Sequence, residues 1–350
     1  MGTEKNLSLI FKKIPTGLPV PGEHVVVEDR PYDPAAKPTA GGIICENIYA
    51  SFDPYMRSRM RAPENKSYAP PFELNQPMTA AGVGRVVKSD TADYKEGDLL
   101  SGLSIPVQKY AAVTAEMLQS ARKIDVSTAL SDLRHYIGPL GMPGLTAYSS
   151  LYEIGKPKQG EVILISSAAG AVGQLVGHIA KHEGLTVFGS VGSDEKLDFI
   201  TKELGFDGGF NYKKERPLDA VKRLAPDGID IYYENVGGEH LEAALETLRK
   251  YGRIVACGMI SQYNLTEEQR YGVKNLFHIV PKNLIMRGFI VYSPDFGPKW
   301  LEEFQKNVRK WIADGTFKPK FSETHGIEAA PEGLVGIFEG KNFGKAVLKI

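Results

Sequence analysis

The sequence predicts an α/β protein in two parts: a doubly wound parallel sheet, preceded by a β-barrel-like domain of short strands. Three observations carry this. Residues 7–138 run as short apolar or alternating segments punctuated by Gly and Pro, with little helical period. From about residue 139 strands alternate with segments of helical period. Near the head of that alternation an apolar run, residues 162–165, breaks into small residues. It then passes into Val172, Leu175, Val176, Ile179 and Ala180 at helical spacing, the start of a βαβ unit. At 350 residues the chain is long for one core, so two domains are the natural division.

In the first part, residues 25–27, 41–45, 82–87 and 111–113 have the composition of strands. The glycines in 81–86 resemble a nucleotide turn, but no helical period follows them. They are expected in a twisted or bulged strand. Asp53-Pro54 reads as a helix start, with Asp at the cap and Pro at the first position. The proline-rich loop 62–76 has no period and reads equally as a lid, a pocket wall or a surface connection.

Residues 138–148 form the expected hinge. Beyond them strands are expected at 186–191, 209–211, 229–234, 252–257 and 285–292, and helices at 194–204, 218–224, 239–248 and 296–313. The tail returns to short strands and is expected to rejoin the first domain. The division is therefore 1–138, 139–315 and 316–350.

Charge and cysteines narrow the function classes. Lys plus Arg equals Asp plus Glu at 42 each, which argues against nucleic acid, a membrane surface or an acidic partner. The two cysteines, Cys45 and Cys257, build neither a disulfide framework nor a CxxC zinc signature. A reducing compartment fits, and with no apolar run of membrane-span length the expected location is the cytoplasm.

In an open parallel sheet ligands bind beyond the carboxyl ends of the strands. That rule selects 191–193, 234–238 and 257–261, each rich in small residues, as the rim of a cofactor cleft. The turn after 162–165 is Ser167-x-x-Gly170-x-x-Gly173, a weak signal alone because it lacks the usual Gly-x-Gly-x-x-Gly. Small residues there let a pyrophosphate approach the N–H groups of the helix N-terminus. The nucleotide is left open by the residues. Asp194 stands near the count expected of a ribose-binding acid, but in a first helical turn where the helix dipole explains it. Lys196, one step on, is placed for a 2′-phosphate or is simply a surface lysine, and the balance leans to NADP. No Cys, His and carboxylate set supports a catalytic zinc, so hydride chemistry here is expected to be metal-free. Among the tyrosines, Tyr55 and Tyr263 are the best placed proton donors.

Longer blocks then carry a resemblance. They are 53–57, 140–144, 169–173, 191–196, 210–213, 235–238, 257–264 and 340–345, in that order over nearly the whole chain. The sequence resembles the zinc-independent medium-chain dehydrogenase/reductases, in the branch of prostaglandin reductases and plant double-bond (alkenal/one) reductases. The resemblance implies a GroES-like β-barrel catalytic domain from both chain ends, a Rossmann domain between them, and a homodimer in which the last Rossmann strand, within 284–291, helps join the sheets. It implies NADPH-dependent reduction of the C=C bond of α,β-unsaturated aldehydes and ketones, by hydride transfer to the β carbon. Carried over by position, Lys196 and Tyr212 hold the 2′-phosphate, Gly170, Ala171, Val172 and Gly173 the pyrophosphate, and Gly192 and Asn235 line the cleft. Cys257, Gly258, Ile260, Ser261, Tyr263, Phe289, Ile290, Val291 and Asn342 surround the nicotinamide, while Tyr263 and Tyr55 act on the substrate carbonyl. Ser167 departs from the commoner small apolar residue opening the turn. The alternatives are an NADPH-dependent quinone reductase of the same superfamily, or a nucleotide-binding protein that turns nothing over.

Overall fold

The computed structural model describes residues 2–127 and 130–350. It divides into two compact units, Met1–Gly138 with Phe321–Ile350, and Pro139–Lys320. In chain order the first unit contributes β1 (Leu7–Phe11), β2 (Val25–Asp29), β3 (Ile43–Ser51), β4 (Thr79–Ser89), β5 (Leu99–Pro106), β6 (Tyr110–Val113) and β7 (Arg122–Ile124). The second holds β8 (Val162–Ser166), β9 (Thr186–Val191), β10 (Gly208–Asn211), β11 (Ile229–Glu234), β12 (Leu248–Ala256) and β13 (Ile285–Gly288). Strands β14 (Phe321–His325) and β15 (Lys345–Lys349) belong again to the first.

In the first unit β1 and β2 form an antiparallel ribbon, and seven strands form a sheet in the order β14-β15-β3-β4-β5-β7, with β6 also on β3. The C-terminal strand β15 pairs antiparallel with β3, Val347 opposite Ser51, so the tail is stitched into the N-terminal sheet. Phe11, Phe52, Met56, Met78 and Leu348 fill one of its cores. The glycines of β4 serve the strand, as expected. A Cβ at Gly82 would stand 3.2 Å from the Tyr49 carbonyl oxygen, and the β3–β4 and β4–β5 ladders shift register around them. The helix expected from Asp53 starts later and is one turn, Met56–Arg59. Asp53 offers it only a backbone carbonyl, to Met56 N–H at 3.0 Å, because its carboxylate is turned to Lys345 instead.

The second unit carries a six-stranded, wholly parallel sheet in the order β10-β9-β8-β11-β12-β13. The chain steps outward from β8 to β10 and then returns to place β11 against the other side of β8. This is the doubly wound Rossmann order, with its switch point between β8 and β11. Side chains alternate as the pleat requires. Leu164, Tyr232 and Ile254 share a core with Val221, Leu241 and Leu245 of the helices Pro217–Leu224 and Glu239–Thr247. In the helix Ala171–His182, Leu175, Val176 and Ile179 have no exposure, a burial that contributes about 1.5–3 kcal/mol for each side chain.

Several expectations need correction. The boundary between the units falls at Gly138 and Pro139, the start of the expected hinge, and residues 142–148 already belong to the helix Met142–Ser150, which continues in wider, π-helical turns over Leu151–Gly155. Gly144 is required there, since a Cβ would fall 1.8 Å from the Pro139 carbonyl oxygen. The helix expected at 194–204 is α-helical over Asp194–Asp198 and π-helical over Phe199–Glu203. The last strand ends at Gly288 rather than 292, because β12 stops at Ala256 and nothing remains for the chain to pair with. Residues 316–320 stay with the second unit, where the buried Phe317 packs on the His178 ring.

Candidate functional site

At the end of β8 the chain turns through Ser167, whose φ of +51° is the left-handed conformation that usually selects glycine. Gly170 is the extended N-cap of the helix Ala171–His182, and its N–H donates to the Ser167 carbonyl at 2.9 Å. A Cβ at Gly173 would lie 2.5 Å from that carbonyl oxygen and 2.8 Å from Ala168 Cα, so this glycine seats the helix against the strand exit. Gln174 N–H is the donor to Gly170, which leaves the N–H groups of Ala171, Val172 and Gly173 at the open helix end. No acidic residue stands in that first turn. Such a terminus favours an anion.

The neighbouring strand end separates Asp194 from Lys196. The Asp194 carboxylate accepts from Asn211 Nδ2 at 2.9 Å and pairs with Lys214. Lys196 is half-buried, and burial followed by the Lys213 charge lowers its pKa. Tyr212 is exposed, with its hydroxyl 3.0 Å from where a Cβ on Gly192 would sit and its ring edge-on to His240 at 5.4 Å. His240 is itself fixed by Ser190 Oγ at 2.7 Å, and burial pushes its pKa down to about 4. Two lysines beside a phenol make a locus for a doubly charged anion.

The ends of β11 and β12 are laced together around Glu234. Its Oε1 accepts from Tyr232 O–H at 2.9 Å, Val236 N–H at 2.6 Å and Gly237 N–H at 2.8 Å. Its backbone carbonyl accepts from Cys257 and Gly258 N–H, both at 3.0 Å. Asn235 binds Ser166 through its N–H and side-chain amide, and its carbonyl accepts from Ile260 N–H at 3.1 Å. Ser261 completes the seam on the Val236 carbonyl. Glu234 is fully buried, burial raises its pKa, and Oε2 has no partner among the described residues. This seam ends in Tyr263, whose hydroxyl accepts from Met259 N–H at 3.1 Å and would lie 2.9 Å from a Cβ on Gly258. The Cys257 thiol is pushed up to about 12 by burial, so it stays protonated.

Of the remaining candidates, Phe289, Ile290 and Val291 follow the carboxyl end of β13. Phe289 packs on Phe296 at 5.0 Å, Val291 is buried and Ile290 is exposed. Tyr55 and Asn342 belong to the first unit. Tyr55 begins the one-turn helix, and burial, then the Asp53 charge, pushes its phenol up to about 12. Asn342 donates to the Gly344 carbonyl at 2.8 Å. Lys345, buried, links the two segments, its ammonium bonding Asp53 at 3.1 Å and the Phe52 carbonyl at 2.6 Å. Thus Gly170 to Gly173, Gly192, Lys196, Tyr212, Asn235 and 257–263 gather at one end of one sheet, while Tyr55 and Asn342 lie in the other unit, a few residues along the chain from the Asp53–Lys345 pair. The sequence reading placed Glu234 in the rim without its tethering role, and it assigned Lys213 no role. An acid directly after the apolar run Ile231-Tyr232-Tyr233 is the signal that marks Glu234.

The chain matches the family model described as zinc-binding dehydrogenase over residues 171–313, and that described as N-terminal domain of oxidoreductase over residues 8–121. The residues present do not fit the zinc of the first description. Cys45 is buried among apolar side chains with its thiol pushed up to about 12, and no group of three His, Cys, Asp or Glu able to hold a metal occurs among the described residues. The chain is 51% identical to an NADP-dependent oxidoreductase, RED1, of Cochliobolus heterostrophus, covering 99% of this chain and 98% of that protein. It is 43% identical to the NADP-dependent 2-alkenal reductase of Nicotiana tabacum, over 99% and 97%. Its fold matches the crystal structure of CurA from Vibrio vulnificus in complex with NADPH, with a TM-score of 0.82, 32% identity and 98% coverage of each chain. Two family models spanning most of the chain and full-length relatives at this identity place it: the chain belongs to the medium-chain dehydrogenase/reductases, in the branch of the prostaglandin and alkenal double-bond reductases.

Proposed function

We propose that this protein is an NADPH-dependent oxidoreductase that reduces the C=C bond of α,β-unsaturated aldehydes and ketones without a metal. The observation that carries the reading is the Tyr263 phenol, held by Met259 N–H at the end of the seam at the carboxyl ends of β11 and β12. NADPH, when bound, supplies the hydride. The residues fit such a dinucleotide. The helix end at Ala171 receives the pyrophosphate, and Lys196 with Tyr212 takes the 2′-phosphate while Asp194, engaged by Asn211 and Lys214, leaves the ribose edge to them. Asn235, the 257–263 segment and Phe289 to Val291 line the nicotinamide side.

As the β carbon is reduced, negative charge grows on the substrate carbonyl oxygen, and a donor already aimed there lowers the barrier most. Tyr263 serves as that donor, a neutral phenol that can give a hydrogen bond without titrating near pH 7. The tobacco relative is named for this reaction on 2-alkenals, which supports the same substrate class here. A cytoplasmic homodimer is the assembly we expect for it.

The test follows NADPH and NADH loss with an alkenal, an enone, a small quinone and a simple ketone. The alkenal and enone should be consumed fastest, with NADPH preferred; faster turnover of the quinone, or none of any acceptor, would overturn the reading. Tyr263→Phe is expected to lower kcat by ~10²-fold, the scale for losing one acid or oxyanion donor.

A further inference from the structure

His240 lies within the second unit, as the second residue of the helix Glu239–Thr247, and is buried. Residues from two other strand ends converge on its ring. Ser190, the last residue but one of β9, shares a hydrogen bond with Nε2 at 2.7 Å. Phe210 of β10 is stacked on the imidazole, with ring centres 6.2 Å apart and 17° between the planes. Tyr212, just beyond β10, meets it edge-on at 5.4 Å and 77°. Burial pushes the His240 pKa down to about 4, so at pH 7 it meets Tyr212 as a neutral ring and not as a cation.

Tyr212 is restrained by more than this contact. Its N–H donates to the Val191 carbonyl at 3.1 Å, which ties its backbone to the end of β9. Its ring lies against Gly192, where a Cβ would stand 3.0 Å from the hydroxyl and 3.2 Å from Cε1. The bare glycine leaves the room, and the imidazole holds the ring in it. That place is the carboxyl end of β9, where doubly wound sheets recognise the 2′ position of a ribose. Tyr212 nevertheless stays exposed, so its hydroxyl is open to a ligand. A phenol without this support would have to be ordered as the nucleotide binds, and only a nucleotide bearing the 2′-phosphate would meet that cost.

We propose that His240 is a positioning residue for cofactor choice: its ring holds the Tyr212 phenol against Gly192, ready for the 2′-phosphate, and so sets the preference for NADPH over NADH. The proposal rests on the assignment of the 2′-phosphate to Lys196 and Tyr212 given above. A histidine that served only the fold would affect both nucleotides alike, and would do so whether or not Tyr212 were present.

The experiment is a fluorescence titration of the full-length protein with NADPH and with NADH, in the absence of any acceptor. His240→Gln keeps a partner for Ser190 and removes the ring; it should raise the Kd for NADPH about tenfold, the scale of one aromatic pair. The Kd for NADH should stay within about twofold, and so should that for NADPH when His240→Gln is added to Tyr212→Ala, the non-additivity expected of groups in contact. Should His240→Gln not fold, Ser190→Ala provides a second background, since it leaves no buried hydroxyl unpaired and keeps the bond from Ala168 N–H to the Ser190 carbonyl. There His240→Leu should show the same selective loss, and His240→Phe, which restores a ring, should regain most of it. Unchanged NADPH affinity, equal losses for the two nucleotides, equal losses with and without Tyr212, or no gain from phenylalanine over leucine would overturn the proposal while leaving Tyr212 its role. A Tyr212→Ala variant that binds NADPH as tightly as the parent would overturn that role and the proposal with it.

Discussion

Asp194 and Lys196 stand two residues apart and meet different fates. The acid is drawn to Asn211 and Lys214, whereas Lys196 shares its surroundings with the Lys213 charge. Charge-assisted contacts to a phosphate are worth about 1.5–3 kcal/mol, so Lys196→Ala should raise the KM for NADPH by about 10- to 100-fold and leave that for NADH nearly unchanged. Initial rates with both nucleotides check it. This distinction was only half legible from the chain. Position marked both residues as candidates, but which of them is engaged elsewhere depends on Lys214 and Asn211, twenty and seventeen residues beyond Asp194 and brought to it by β10. Glu234 was less legible still, because a lone acid before Asn-Val-Gly-Gly reads as turn polarity until its burial is known.

At the scale of elements, the strand–turn–helix at β8 was readable because its period changes from apolar run to amphipathic helix. The helix Met142–Ser150 was not, since residues 143–150 are buried on every side and leave no polar stripe for a period to show. The end of β13 was unreadable for another reason: a strand stops where its neighbour stops, and that is a property of β12. The roles of the two turn glycines differ. Gly170 caps, and Gly173 lets the helix touch the strand exit. Gly173→Ala would force a Cβ against backbone atoms at 2.5 and 2.8 Å, a contact that no side-chain motion relieves. The helix end must shift, and NADPH affinity should fall at least tenfold, about 1.4 kcal/mol, in a fluorescence titration. Unchanged affinity would mean the turn does not seat the nucleotide.

At the scale of the molecule, stability should depend on two histidines held in neutral form, His240 buried and His178 half-buried. Burial lowers the pKa of His240 and of His178 from 6.5 to about 4. The unfolded chain then binds more protons than the folded one between those values. Their contribution is present above pH 6.5 and is lost as pH falls toward 4. Urea midpoints at pH 7, 5.5 and 4.5 should decline in that order, and the decline should be shallower in His240→Gln, which retains a partner for Ser190. An equal slope would exclude His240 from the effect. The two-part division itself was visible in the chain, as the switch from punctuated short strands to strand–helix alternation. What stayed hidden is that the first unit closes through a buried ion pair, Lys345 with Asp53, nearly three hundred positions apart.

The Glu234 seam constrains anyone who would redesign this enzyme. Because one carboxyl group and one peptide oxygen tether both rim segments, 235–238 and 257–263 form a single cassette. Grafting the tyrosine-bearing segment alone from another reductase would transplant the phenol without the scaffold that aims it. Exchanging both segments together with Glu234 would carry its geometry intact.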